Sequence, residues 1–186
     1  MAALTDLVKW LDVMQVPSMI IGGVAASVLG RPRLTQDVDA LAILSEEAWA
    51  GAISTAASHQ ILPRIENPLD FARRSRVLLM RHAESGIDID LTFARLSFEQ
   101  TAIHNSEVHD IGGVRVRLPR VEDLLIMKAV ARRPKDLEDI EGLLAAHPEA
   151  DVAAVRRWVR EFAAATGMSD MLDDFDEVVT RSKSKR

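Results

Sequence analysis

The sequence predicts an α/β (α+β) protein that becomes wholly helical in its last third. Short apolar, strand-like runs alternate with amphipathic helical segments as far as about residue 118. The run GIDIDLTF (residues 86–93) alternates strictly with a period of two, the mark of a strand with one buried face. From Pro119 onward the apolar spacing is helical throughout. The chain has 186 residues, 48% of them hydrophobic and 27% charged, enough for one core with a helical appendage.

In chain order, Leu4, Leu7, Val8, Leu11 and Met14 recur at helical spacing and predict a first helix that ends before Pro17. SMII reads as a buried strand running into Gly22-Gly23, residues 24–29 as a short helix, and Gly30 with Pro32 as its end. DVDALAIL is a second strand, and Ser45 is placed to cap the helix that follows. Residues 61–75 lack periodicity and are expected to form a loop. RVLLMRH and GIDIDLTF, separated by AESG, predict a hairpin, and GGVRVRLP a further strand. Helices are expected over 120–132, over 135–146 after a break at Pro134, over 151–165, and from 169. These elements divide the chain into a core at 1–118, a helical region at 119–180 packed on it, and a frayed tail at 181–186.

Composition narrows the function. A net charge of −5 argues against a general DNA-coating protein, and the absence of cysteine excludes disulfides and thiolate metal sites. The first sixteen residues carry Asp6, Lys9 and Asp12, so neither a signal peptide nor a membrane span is expected, and the cytoplasm is the expected compartment. The middle is rich in arginine (Arg31, Arg33, Arg73, Arg74, Arg76, Arg81, Arg115 and Arg117 among them), which suits triphosphate, an RNA backbone or simple ion pairing. Aromatic residues make up only 4% of the chain and tyrosine is absent, so no stacking platform for single-stranded RNA is evident.

The acidic residues carry the chemistry. Alternation puts Asp37 and Asp39 on one face of their strand, roughly 7 Å apart at their roots. Two such carboxylates repel, and a divalent cation, Mg²⁺ by its oxygen preference, relieves the repulsion. An isolated Asp-x-Asp is common; a third one, Asp174 and Asp176, reads as a solvated helix face. The case strengthens because Asp88 and Asp90 lie opposite the apolar Ile87, Ile89, Leu91 and Phe93. If the two strands are neighbours, three or four carboxylates converge, which suits two-metal phosphoryl chemistry. Gly22 and Gly23 follow a strand and open a helix, where backbone amides can approach an anion; a plain tight turn explains them equally well.

Taken in order, these residues resemble the nucleotidyltransferase (polymerase-beta-like) superfamily, and within it the minimal bacterial group that includes the AbiEii-type toxins. The pattern of Gly-Gly, a helical stretch and Arg-x-Thr-x-Asp-x-Asp is met by Gly22, Gly23, Arg33, Thr35, Asp37 and Asp39. Downstream, Lys128, Arg132, Lys135, Asp136 and Asp139 are similar to that group's helix with a Lys followed by a basic residue and Asp-x-x-Asp. The resemblance spans about residues 17–145. It implies a mixed β-sheet flanked by helices and an NTP substrate such as ATP. It also implies two Mg²⁺ ions held by Asp37, Asp39 and Asp90, with Asp88 as the alternative third carboxylate. Lys128 would contact phosphate, and Gly22, Gly23, Arg33, Thr35 and Asp136 would contribute to nucleotide binding. Bland alternatives stand beside the last group: Lys128 snorkelling from a buried face, and Asp136 and Asp139 favoured by a helix dipole. The pattern departs at Val24, where many members carry a phosphate-contacting Ser.

Three functions follow from the resemblance. The first is transfer of NMP from an NTP to a hydroxyl of tRNA or protein, in a toxin–antitoxin or phage-defence setting with an antitoxin partner. The second is transfer to a small molecule such as an aminoglycoside. The third, suggested by Val24, is a non-catalytic relative that binds a nucleotide or a partner.

Overall fold

Ile89, Leu91 and Phe93 are buried along a strand whose Asp88, Asp90 and Thr92 stay half-exposed, so one face of the central sheet carries the core and the other carries acid. The computed structural model describes residues 1–184. The chain divides into two compact units, one of Met1–Val24 with Leu34–Leu118, the other of Ala25–Arg33 with the chain from Pro119.

The first unit begins with α1 (Ala2–Met14), β1 (Ser18–Ile21) and the start of α2 (Gly22–Leu29). It continues through β2 (Asp37–Ala42), α3 (Trp49–Ala56), β3 (Ile61–Pro63), α4 (Pro68–Ser75), β4 (Val77–His82) and β5 (Asp88–Phe93). It ends in α5 (Ser97–His104), β6 (Glu107–Ile111) and β7 (Val114–Leu118). Five strands form one mixed sheet in the order β1-β2-β5-β4-β3, in which β2 and β5 run parallel and the other pairs antiparallel; β6 and β7 form a separate ribbon. The apolar face pairs Val38 with Ile89 and Ala40 with Leu91. Helix α3 covers it: Trp49 stacks on Phe93 at 4.3 Å between ring centroids, and the Trp10 indole of α1 donates to Ala52 O at 3.2 Å.

The second unit gathers the end of α2 with α6 (Val121–Ala131), α7 (Pro134–Ala146), α8 (Val152–Thr166) and α9 (Asp170–Ser184). Leu124, Leu125, Ile140, Leu143, Val155, Val159 and Phe175 are buried at helical spacing and form its core. None of the described helices is long and apolar enough to cross a membrane.

Three local expectations are corrected. Residues 61–75 are not a loop: β3 pairs with β4, and α4 begins with Pro68 at its first position, after Asn67 in the left-handed region. Ser45 makes no cap hydrogen bond, because the helix opens as a 3₁₀ turn over Glu46–Ala48 in which Ala48 N donates to Ser45 O. Residues 181–184 are not frayed: buried Val178, Val179 and Ser182 continue the apolar stripe of α9, and Arg181 pairs with Glu141 at 3.0 Å. Residues 185–186 of the expected tail lie outside the described chain.

Candidate active site

Strand register assembles the acidic face. Asp37 lies opposite Asp88 and Asp39 opposite Asp90 on the parallel pair β2 and β5. Neighbouring strands stand about 4.8 Å apart and alternate residues about 6.6 Å apart, so the four carboxylates root at the corners of a small quadrilateral. The two acidic pairs of the sequence thus share one face of adjoining strands.

Two arginines answer part of this charge. The Arg64 Nη1 donates to Asp90 Oδ1 at 2.6 Å and to Met80 O at 3.3 Å, and its Nε lies 3.8 Å from Asp88 Oδ2. The Arg81 Nε donates to Asp88 Oδ1 at 2.7 Å. That hydrogen bond, helped by the charges of Arg64 and Arg81 and opposed by partial burial, holds the Asp88 carboxyl below its ordinary range. Asp37 makes no hydrogen bond or ion pair among the described residues, whereas Asp90 is engaged by Arg64.

Gly22 is where the glycine turn meets the acids. Its φ is +64°, and a Cβ built there would overlap the Asp39 carboxylate. Antiparallel pairing of Ile21 with Asp39 causes this approach. Glycine is therefore required twice over, for its conformation and for the space the Asp39 side chain occupies. The N-terminus of α2 accordingly opens beside Asp39. Thr35 lies in the segment leading into β2, two residues ahead of Asp37.

The remaining expected site residues form a different cluster, within the second unit. The Lys128 ammonium sits 3.0 Å from Asp136 Oδ1 and 2.8 Å from Asp139 Oδ2, and all three side chains are no more than 5% exposed. Arg33 donates from Nε and Nη2 to the two oxygens of Asp139 at 2.8 and 3.0 Å. Arg133 donates to Asp136 from its backbone N–H at 3.1 Å and from Nε at 2.6 Å, and the acid closes a capping box at the start of α7. Burial pushes both carboxyls upward, but Arg133 and Lys128 for Asp136, and Arg33 and Lys128 for Asp139, outweigh it and hold them low. In this arrangement the Lys128 ammonium is shared between Asp136 and Asp139. Lys128, Asp136 and Asp139 thus compensate one another's charge inside a helical core. Asp174 and Asp176 do not form a site: Asp174 pairs with Arg132 and Asp176 with Arg156, each at 2.6 Å.

Arg64 is the residue that sequence reasoning missed. It follows a three-residue strand ending in Pro63, and Arg64 N donates to Leu79 O to extend that pairing by one residue. Nothing in its sequence neighbourhood marks it apart from other arginines. Two clefts of about 330 Å³ on the first unit share Asp12, Ser18 and Arg117 and include none of the four carboxylates.

The oxygen donors of the acidic face fit a hard divalent cation in kind, and Asp37 is available to one. The described residues do not gather three or more His, Cys, Asp or Glu side chains closely enough to hold a metal as they stand. The fit therefore starts from Asp37, with Asp39 beside it on the same face of β2.

Comparison with known proteins agrees with this fold. Residues 75–171, just over half of the chain, match the family model described as "Nucleotidyl transferase of unknown function (DUF2204)". No curated protein sequence matches the chain. Among solved structures, the chain is similar to the antibiotic-resistance factor ANT(2'')-Ia in solution. The TM-score is 0.61 and the identity 15%, covering 90% of this chain and 92% of that one. It is also similar to crystalline ANT(2'')-Ia in complex with adenylyl-2''-tobramycin, at TM-score 0.59 and 16% identity over 88% and 97% of the two chains. An antigenic nucleotidyltransferase-like protein from Paracoccidioides brasiliensis aligns at TM-score 0.57 and 14% identity over 93% and 92%. These likenesses show a shared nucleotidyltransferase-like fold, and with the family match spanning residues 75–171, the chain belongs to the DUF2204 nucleotidyl transferases and is an enzyme of the nucleotidyltransferase class.

Proposed function

We propose that the protein transfers NMP from an NTP to an acceptor hydroxyl, dependent on Mg²⁺, at the face formed by Asp37, Asp39 and Asp90. The observation that carries this reading is the parallel register that sets Asp37 and Asp39 opposite Asp88 and Asp90, beside the Gly22 turn. Asp37 and Asp39 would hold Mg²⁺, with Asp90 joining them once Arg64 releases it. Bound there, Mg²⁺ supplies the neutralisation of triphosphate charge that in-line displacement needs.

The chain's own groups do the rest. The α2 N-terminus, kept open by Gly22, presents backbone amides to an anionic phosphate, and with Val24 in place of a Ser these amides do that work. Asp90 accepts the proton of the acceptor hydroxyl. The hydroxyl oxygen bonds to the α-phosphorus as the bond from that phosphorus to the bridging oxygen breaks, and pyrophosphate leaves with that electron pair. Asp88, which faces both Arg81 and Arg64, is the less suited base.

The resemblance to the AbiEii-type toxins supports a tRNA or protein hydroxyl as acceptor, acting in the cytoplasm within a toxin–antitoxin or phage-defence pair. A second reading, a small polyhydroxylated acceptor, is supported by the likeness to a structure bound to adenylyl-2''-tobramycin. Incubating the protein with each α-³²P NTP and Mg²⁺ against total tRNA, total cell protein and an aminoglycoside panel separates the two. Label in tRNA or protein, lost in Asp39→Asn, supports the first acceptor class. Label confined to the aminoglycosides supports the second. No label in any fraction from folded protein overturns the transfer reading.

A further inference from the structure

We infer that Arg64 is a built-in counter-cation of the acidic face, a positioning residue that holds Asp90 in the free protein and competes with a divalent cation for its oxygens. The inference rests on the cation site proposed above and deepens it. Arg64 is not a casual surface arginine. Its side chain is 19% exposed, against 54% for Arg81, and it is fixed from three directions. Its backbone N–H is tied to Leu79 O, its Nη1 to Met80 O, and the same Nη1 to Asp90 at 2.6 Å. Its Nε faces Asp88 at 3.8 Å.

Arg64 answers the charge of Asp90 and Arg81 that of Asp88, on a face that also carries Asp37 and Asp39. Asp37 makes no hydrogen bond or ion pair among the described residues, so a divalent cation can approach its carboxylate while Arg64 stays in place. For Asp90 to become a ligand, a cation must displace a guanidinium already hydrogen-bonded to it. Arg64 therefore weakens cation binding in the free protein, keeps Asp90 oriented along β5, and yields it when a nucleotide brings its own cation.

The test titrates Mn²⁺ into the full chain without nucleotide and follows free Mn²⁺ by electron paramagnetic resonance. Wild type is compared with Arg64→Gln, Arg64→Met, Arg64→Lys and Asp37→Asn, each checked for cooperative melting. Removing the competing charge in Arg64→Gln or Arg64→Met is expected to tighten Mn²⁺ binding by about fivefold. Arg64→Lys, which keeps the charge, is expected to stay within about twofold of wild type. Unchanged or weaker binding in whichever neutral variant melts cooperatively overturns the inference, and so does wild-type binding that Asp37→Asn leaves unaltered. Because Mn²⁺ binding is read without any transfer, a failure of the transfer reading shows in the label assay and not here.

Discussion

Two charged clusters in this molecule use the same residue types to opposite ends. In the second unit, Asp136 and Asp139 meet Lys128, Arg33 and Arg133, and the acids and Lys128 are withdrawn from solvent. On the sheet of the first unit, four half-exposed aspartates share one face, where Arg64 meets Asp90 and Arg81 meets Asp88. A buried, compensated network fixes a structure, since loss of either partner strands a charge in the core. A half-exposed face of closely set acids gains nothing for stability from its own repulsion and is suited to binding a cation. Residue type does not separate the two clusters; burial does.

The contrast can be broken at several points. Asp39→Asn should lower nucleotidyl transfer by at least about a thousandfold, measured as label incorporation at saturating nucleotide. In the buried cluster, Asp136→Ala leaves Lys128 with Asp139 alone and removes the acid that Arg133 meets, and should cost about 3–5 kcal/mol of unfolding free energy, read from urea denaturation. The double change Lys128→Met with Asp136→Leu should recover most of that loss. The same pair sets an acid limb. Because the Asp136 and Asp139 carboxyls are held low in the fold, their contribution to stability is complete above the ordinary carboxylate range and is lost as pH falls through the depressed folded values. Melting curves from pH 6 downward should therefore drop less steeply in the double variant than in wild type. Gly22→Ala forces a side chain into a left-handed conformation and against Asp39, and should cost about 1–3 kcal/mol together with activity. At the small end, Arg156→Gln breaks an exposed pair with Asp176 and should move the melting temperature by about 1 °C at most.

Much of this was legible in the sequence because it depends on local period. Alternation in GIDIDLTF assigned Ile89, Leu91 and Phe93 to one face and Asp88 and Asp90 to the other, as the structure has them. The glycine turn before Asp-x-Asp was equally plain. What period does not carry is register, and register decides that Asp39 faces Asp90 and that Leu79, beside Asp90 on β4, brings the β3 end and Arg64 within reach. Arg64 also sits after a strand too short to show alternation, so no pattern pointed to it. Lys128, Asp136 and Asp139 showed the reverse difficulty: their spacing matched a family segment, while their burial and mutual pairing appear only when α6 and α7 are packed. The end of α9 was misjudged because RSKSKR is polar throughout, although its first residues continue a helix whose buried stripe runs through Val178, Val179 and Ser182.

The central claim is that the acids of the sheet, and not those of the helical unit, perform the reaction. Its most direct test is label transfer by Asp37→Asn beside wild type, with the melting temperature of each taken from the same preparation. Asp37 has no ion-pair partner among the described residues and shares its face with three other carboxylates. The expected result is therefore a variant that melts no lower than wild type and transfers no label. Transfer at the wild-type rate by a folded Asp37→Asn protein would contradict the account.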